Sequence, residues 1–111
     1  MTLWQSIVGF NDRFFTWWRE RTLLYWSNAL AGEVGEICGK VKRLIGGGTN
    51  KYPVTAEDIV EECVDTYIYM VLLCECLGIH ERDFKRIAEN KLDVLAERLT
   101  AKTLREAGLE K

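Results

Sequence analysis

Apolar residues recur at spacings of three and four along almost the whole chain, and no stretch joins strict alternation to β-branched enrichment and hairpin turn chemistry. This restricts the chain to helices. A first helix is expected over residues 2–21, with Trp4, Ile7, Val8, Phe14, Phe15 and Trp18 facing the core. A second, from residue 23 or 24 to 45, carries Leu23, Trp26, Leu30, Val34, Ile37, Val41 and Leu44 on one stripe. Gly46-Gly47-Gly48 ends it, and residues 49–53 complete a flexible connector. Thr55 with Asp58 three residues later makes a capping-box start for a third helix, which runs to Gly78. Its second half, residues 67–77, is apolar nearly all round, as in a central helix or a subunit interface. The fourth helix is expected over residues 81–107, with Phe84, Ile87, Ala88, Leu92, Leu95 and Leu99 inward and Gly108 closing it. Long helices on short connectors pack antiparallel, so the expected architecture is an all-α four-helix bundle forming one domain over residues 1–111.

Size and charge narrow the function. A chain of 111 residues, 48% hydrophobic with a single proline, holds one core and is compact rather than disordered. Its net charge of −2 and pI near 5.5 give no general attraction to a nucleic-acid polymer or an anionic membrane. No charged leader with an apolar stretch and cleavage site opens the chain, and the longest apolar run, residues 67–73, is too short to span a bilayer. A cytoplasmic location is expected. Cys38, Cys63, Cys74 and Cys76 form no Cys-x-x-Cys pair and are read as reduced core thiols. With His80 the only histidine, a zinc site or a Ser/His/Asp triad lacks its residues.

Two acidic pairs, Glu33-x-x-Glu36 and Glu62-x-x-Asp65, lie in these otherwise apolar helices. On helical projection Glu33 and Glu36 flank the apolar stripe of the second helix, while Asp58, Glu62, Asp65 and Tyr69 form one strip on the third. If the strips face each other, four carboxylates converge, and like charges drawn together out of water need cations. Oxygen-only ligands select hard ions, so Mg2+ is expected, with Mn2+ as a substitute. A magnesium ion leaves positions for phosphate oxygens, which makes a triphosphate the natural guest. Spacing alone favours a solvated acidic face, and it is the position of both pairs beside apolar stripes that reverses the reading. Gly32, Gly35 and Gly39 add weight to a site, because each costs about 1 kcal/mol of helix propensity and so implies close approach of a ligand or of another helix.

The segment Ala29-Leu30-Ala31-Gly32-Glu33-Val34-Gly35-Glu36-Ile37-Cys38, followed by Lys42-Arg43, resembles the first metal-binding helix of the MazG-like nucleoside triphosphate pyrophosphohydrolases, the all-α NTP pyrophosphatase superfamily. Glu61-Glu62-Cys63-Val64-Asp65-Thr66-Tyr67-Ile68-Tyr69, running into Leu77-Gly78-Ile79, is similar to the second. The resemblance implies that Glu33, Glu36, Glu62 and Asp65 bind magnesium and form the catalytic centre. It also implies that a nucleoside or deoxynucleoside triphosphate is hydrolysed between its α and β phosphates, giving a monophosphate and pyrophosphate. Tyr69 matches a phosphate-contacting tyrosine of the family, and Asn90, Lys91 and Arg98 are the candidates for its phosphate-gripping last helix. Many members carry two adjacent glutamates where this chain has Gly32-Glu33. Members form dimers or dimers of dimers, so a homodimer or homotetramer is expected.

Trp17, Trp18, Tyr25 and Trp26 cluster between the first two helices, where aromatic rings serve as core, as interface or as a stacking platform for a base. Trp17 falls outside the main stripe and is the stacking candidate, and Asn28 is the candidate for hydrogen bonding a base edge. The alternative to an enzyme is a non-catalytic helical module that dimerises or binds a metal or nucleotide through its acidic strip. A ferritin-like di-metal centre would need Glu-x-x-His ligands, which the chain lacks.

Overall fold

The computed structural model describes residues 1–46 and 53–108, and among them it contains four α-helices and no strand. The helices are α1 (Leu3–Phe14), α2 (Leu23–Gly46), α3 (Ala56–Cys76) and α4 (Glu81–Glu106), with a short 3₁₀ turn at Trp18–Glu20. The all-α expectation holds. The connector expected over residues 49–53 falls, apart from Pro53, outside the described residues, as do Gly47 and Gly48. The chain divides into two compact units, the first ending at Gly78 and the second beginning at Ile79.

Local chemistry sets the helix ends of the first unit. At the start of α1 the Gln5 N–H donates to Thr2 Oγ1 (3.1 Å) while the Thr2 N–H donates to Gln5 Oε1 (2.9 Å). The expected box at α3 is present in the same form, with Asp58 N–H to Thr55 Oγ1 (3.2 Å) and Thr55 N–H to Asp58 Oδ2 (2.8 Å). Thr22 Oγ1 accepts from the Tyr25 N–H at the start of α2. Gly78 ends α3 at φ +77°, a left-handed conformation in which its N–H reaches the Glu75 carbonyl at 2.9 Å.

The first helix is shorter than its periodicity predicts. It ends at Phe14, and the chain doubles back so that the fully buried Trp18 donates its indole N–H to Asp12 Oδ1 at 2.8 Å. Burying an indole removes about 150–250 Å² from water, roughly 4–6 kcal/mol at about 25 cal/mol/Å². That outweighs the helix propensity of the few residues released, about 0.5 kcal/mol each. Trp4, Ile7, Trp26, Val71 and Leu72 complete the buried apolar core, all within the first unit. Phe14, Phe15, Leu23, Val34 and Leu44, expected to face inward, are exposed.

Helix α3 packs against both α1 and α2. Lys40 meets Glu62, whereas Trp26 lies beside Tyr69, so α2 and α3 run antiparallel. This joins the two acidic segments across one seam. Two of the four cysteines do not match their expected place: all are free thiols, but Cys38 and Cys63 are exposed, and only Cys74 and Cys76 are partly covered.

The second unit is the 26-residue α4. Asp83 Oδ2 accepts from the His80 N–H at its start, and Gly108 follows its end at φ +70°. None of its residues is buried; the expected inward row of Ile87, Leu92, Leu95 and Leu99 is exposed, with Leu92 at 65% and Leu99 at 63%. A 3.6-residue period identified the helix but not a covered face. Among the described residues no single helix is long and apolar enough to cross a membrane.

Candidate metal centre

Glu33 projects from α2, and Glu62 and Asp65 project from α3 one turn apart. One carboxylate oxygen from each lies within 4.8 Å of the others. Around a magnesium ion with Mg–O distances of about 2.1 Å, oxygens are separated by about 3 Å when adjacent and about 4 Å when opposite. The three side chains therefore need only a modest inward adjustment to share one hard cation. Glu33 and Glu62 are half-buried and Asp65 is exposed, leaving one side open.

The charge balance in this seam is specific. Lys40, two turns after Glu33 on α2, places Nζ 2.7 Å from Glu62 Oε1. This ammonium, together with a hydrogen bond from Glu33, holds the Glu62 carboxyl below its ordinary pKa. Glu33 is displaced the other way. Its desolvation is the largest cause, followed by the hydrogen bond with Glu62 and the charges of Glu62, Asp65 and Glu36, all of which favour its protonated form. Protonation of Glu33 and binding of a divalent ion would each relieve the same crowding of charge at this seam. Glu36 is exposed and contributes charge to Glu33, but it is not one of the three converging ligands.

Asp65 and Tyr69 also line a cavity of about 590 Å³. Its wall is mainly aromatic, with Phe10, Phe15, Trp17, Tyr25 and Trp26 beside Tyr69. These rings meet in tilted and edge-on contacts, including Phe15 with Trp17 at 5.8 Å, Tyr25 with Trp26 at 4.9 Å and Trp26 with Tyr69 at 6.0 Å. The Arg21 guanidinium covers Trp17 at 4.5 Å and Tyr25 at 5.0 Å. Burial, with the charges of Glu33, Tyr25 and Asp65, raises the pKa of Tyr69 and keeps its hydroxyl a donor.

Of the sequence-derived residues, Glu33, Glu62, Asp65 and Tyr69 come together and Trp17 joins the adjoining wall. Asn28 is exposed on α2 and is not one of the residues lining the cavity. Asn90, Lys91 and Arg98 are exposed on α4, in the second unit. Two participants were missed. Lys40 sits at i+4 from Glu36 and i+7 from Glu33, a register that would have put it on the acidic strip. Asn11 stands at i+4 from Ile7 and i+7 from Trp4, a polar residue on the apolar stripe, and it is buried.

The three helical glycines meet no close neighbour among the described residues. A Cβ added at Gly32, Gly35 or Gly39 would meet nothing within 4 Å among the described residues, so no helix packing among them requires a glycine there. No protein-family model matches the chain, and no curated protein or solved structure matches it.

Proposed function

We propose that the protein is a magnesium-dependent nucleoside triphosphate pyrophosphohydrolase of the MazG-like, all-α NTP pyrophosphatase type. The observation that carries this reading is the meeting of Glu33, Glu62 and Asp65 across the α2–α3 seam, with Asp65 shared by an aromatic cavity large enough for a small-molecule ligand. A triphosphate has these two demands: oxygens that need a hard cation, and a flat base that favours aromatic walls.

Glu33, Glu62 and Asp65 would hold the ion, with Glu36 adding charge beside them. A magnesium or manganese ion held by these residues would neutralise phosphate oxygens and so favour attack of water on the α-phosphorus. As the new P–O bond forms, the bond to the bridging α,β oxygen breaks and pyrophosphate leaves. A neighbouring carboxylate takes the proton of the attacking water. Tyr69 donates to a phosphate oxygen, and Trp17 contributes to the base-binding wall.

Self-association into a homodimer or homotetramer belongs to the same reading. Leu3, Val60 and Val64 are exposed, and they line a second, almost wholly apolar groove between α1 and α3 that a copy of the chain would cover.

The alternative is a non-catalytic helical module that dimerises or binds a metal or nucleotide. The ion pair of Lys40 with Glu62 favours it, because a cation already partly balances the acidic seam. Incubation with magnesium and a panel of ribo- and deoxyribonucleoside triphosphates, followed by separation of products, decides between them. The expected products are monophosphate and pyrophosphate, lost in Asp65→Asn. Orthophosphate alone, or no turnover of any triphosphate, would refute the enzymatic reading.

A further inference from the structure

We infer that Asn11 is a specificity-determining residue whose side-chain oxygen selects nucleobases carrying an exocyclic amino group, cytosine over uracil and adenine over hypoxanthine. The inference rests on the reading of the aromatic cavity as the base site. Asn11 is 7% exposed and lines that cavity between Ile7 and Phe15. Its amide nitrogen donates to the Ile7 carbonyl at 2.9 Å. A carbonyl oxygen can only accept, so the amide orientation is settled: Nδ2 faces the helix and Oδ1 is left over. Among the described residues Oδ1 has no donor.

Oδ1 keeps some exposed surface toward the cavity, so a ligand group that donates to it completes a bond that only water can otherwise supply, and a ligand group that cannot donate there loses that bond. The other polar lining groups do not impose this choice: the indole N–H of Trp26 is buried without a partner, but the acceptor it calls for is carried by amino and keto bases alike, as O2 is by both cytosine and uracil. Ser6, Tyr25 and Tyr69 carry hydroxyls that rotate to donate or accept, and Asp65 belongs to the carboxylate cluster. Asn11 is the lining group that combines deep burial with an orientation held by a backbone bond. Opposite it, an amino group donates, whereas a keto oxygen would set acceptor against acceptor. Sites that leave a buried polar group unpaired with the wrong ligand discriminate strongly, here by about 10- to 100-fold.

The test is equilibrium binding of nucleoside monophosphates to the full chain, followed by tryptophan fluorescence or calorimetry, so that it needs no turnover. CMP is expected to bind at least about 10-fold more tightly than UMP, and AMP more tightly than IMP. In Asn11→Thr the hydroxyl can still donate to the Ile7 carbonyl, as Thr66 does to the Glu62 carbonyl at 2.9 Å, but the amide oxygen is gone. That variant should bring the CMP to UMP ratio to within about 2-fold by weakening CMP alone. A wild-type chain that binds UMP as tightly as CMP, or binds neither, overturns the inference, as does a folded Asn11→Thr that keeps the preference. If that variant does not fold, the wild-type ratio decides. Selective binding without triphosphate cleavage would sink the pyrophosphohydrolase reading and leave the base selection standing, whereas cleavage without selectivity would do the reverse.

Discussion

Lys40 Nζ and Glu62 Oε1 lie 2.7 Å apart across the α2–α3 seam, so the ammonium stands beside one of the carboxylates that converge with Glu33. One side chain therefore does for the metal-free protein part of what a divalent ion would do. Replacing Lys40 with Met should lower the melting temperature of the metal-free protein, because Glu33, Glu36, Glu62 and Asp65 would then repel one another with less compensation. The stabilisation given by saturating magnesium should grow by comparison. Differential scanning fluorimetry with and without the ion measures both, and an unchanged magnesium increment would show that Lys40 and the ion do not act on the same carboxylates.

Proton and metal should compete at Glu33. Its folded-state pKa is raised, mainly by desolvation, so its stabilising contribution is complete below the ordinary value of 4.5 and is lost as pH rises through the folded value. A divalent ion needs the ionised form, so magnesium affinity should increase over that same rise and level off above it. Calorimetric titrations at several pH values should show proton release on binding, and Glu33→Gln should remove that release while weakening the ion at every pH. Equal affinity below and above the window would contradict a ligand role for Glu33.

The cap of α3 has the opposite pH sign. Hydrogen bonds from the Thr55 backbone and side chain lower the Asp58 pKa. Its contribution is present above the ordinary value of 3.8 and disappears as pH falls through the lower folded value. Asp58→Ala should thus destabilise the chain at neutral pH and make little difference in strong acid, as read from urea midpoints. Thr55→Ala should cost about 1 kcal/mol of stability at neutral pH.

Trp18 is 0% exposed, and its removal should be felt throughout the first unit. Trp18→Ala is expected to cost about 3–5 kcal/mol, enough to unfold much of a domain this small at 37 °C. Trp18→Phe keeps most of the apolar burial and loses the indole bond to Asp12, for about 1 kcal/mol. Denaturation followed by circular dichroism separates the two, and near-equal losses would assign the effect to the hydrogen bond rather than to packing.

Much of this arrangement was legible in residue order. The caps at Thr55 and the stops at Gly78 and Gly108 are local, because each depends on groups within a few residues, and they stand where the sequence places them. The pairing of Glu62 with Asp65 is equally local, since residues three apart share one side of a helix. Less could be read of which apolar side chains are buried. Phe14 and Trp18 fit the same periodic stripe, yet the first is exposed and the second fully enclosed. Periodicity describes a helix surface but carries no information about where a distant segment will lie against it, or where the chain will turn to bury a larger ring.

The sequence by itself determined that the chain is helical, the cap of α3 and the pattern of acids along α2 and α3, because these follow from contacts between near neighbours in the chain. Tertiary structure decided which acids meet, with Glu33 joining Glu62 and Asp65 while Glu36 stays outside the triad. It also brought Lys40 to Glu62 and placed Asn11, rather than Asn28, in the wall of the aromatic cavity. Those pairings depend on the antiparallel register of α2 and α3 and on the turn that buries Trp18. Both are settled by long-range packing, in which the burial of large apolar side chains outweighs the local preferences that a sequence displays.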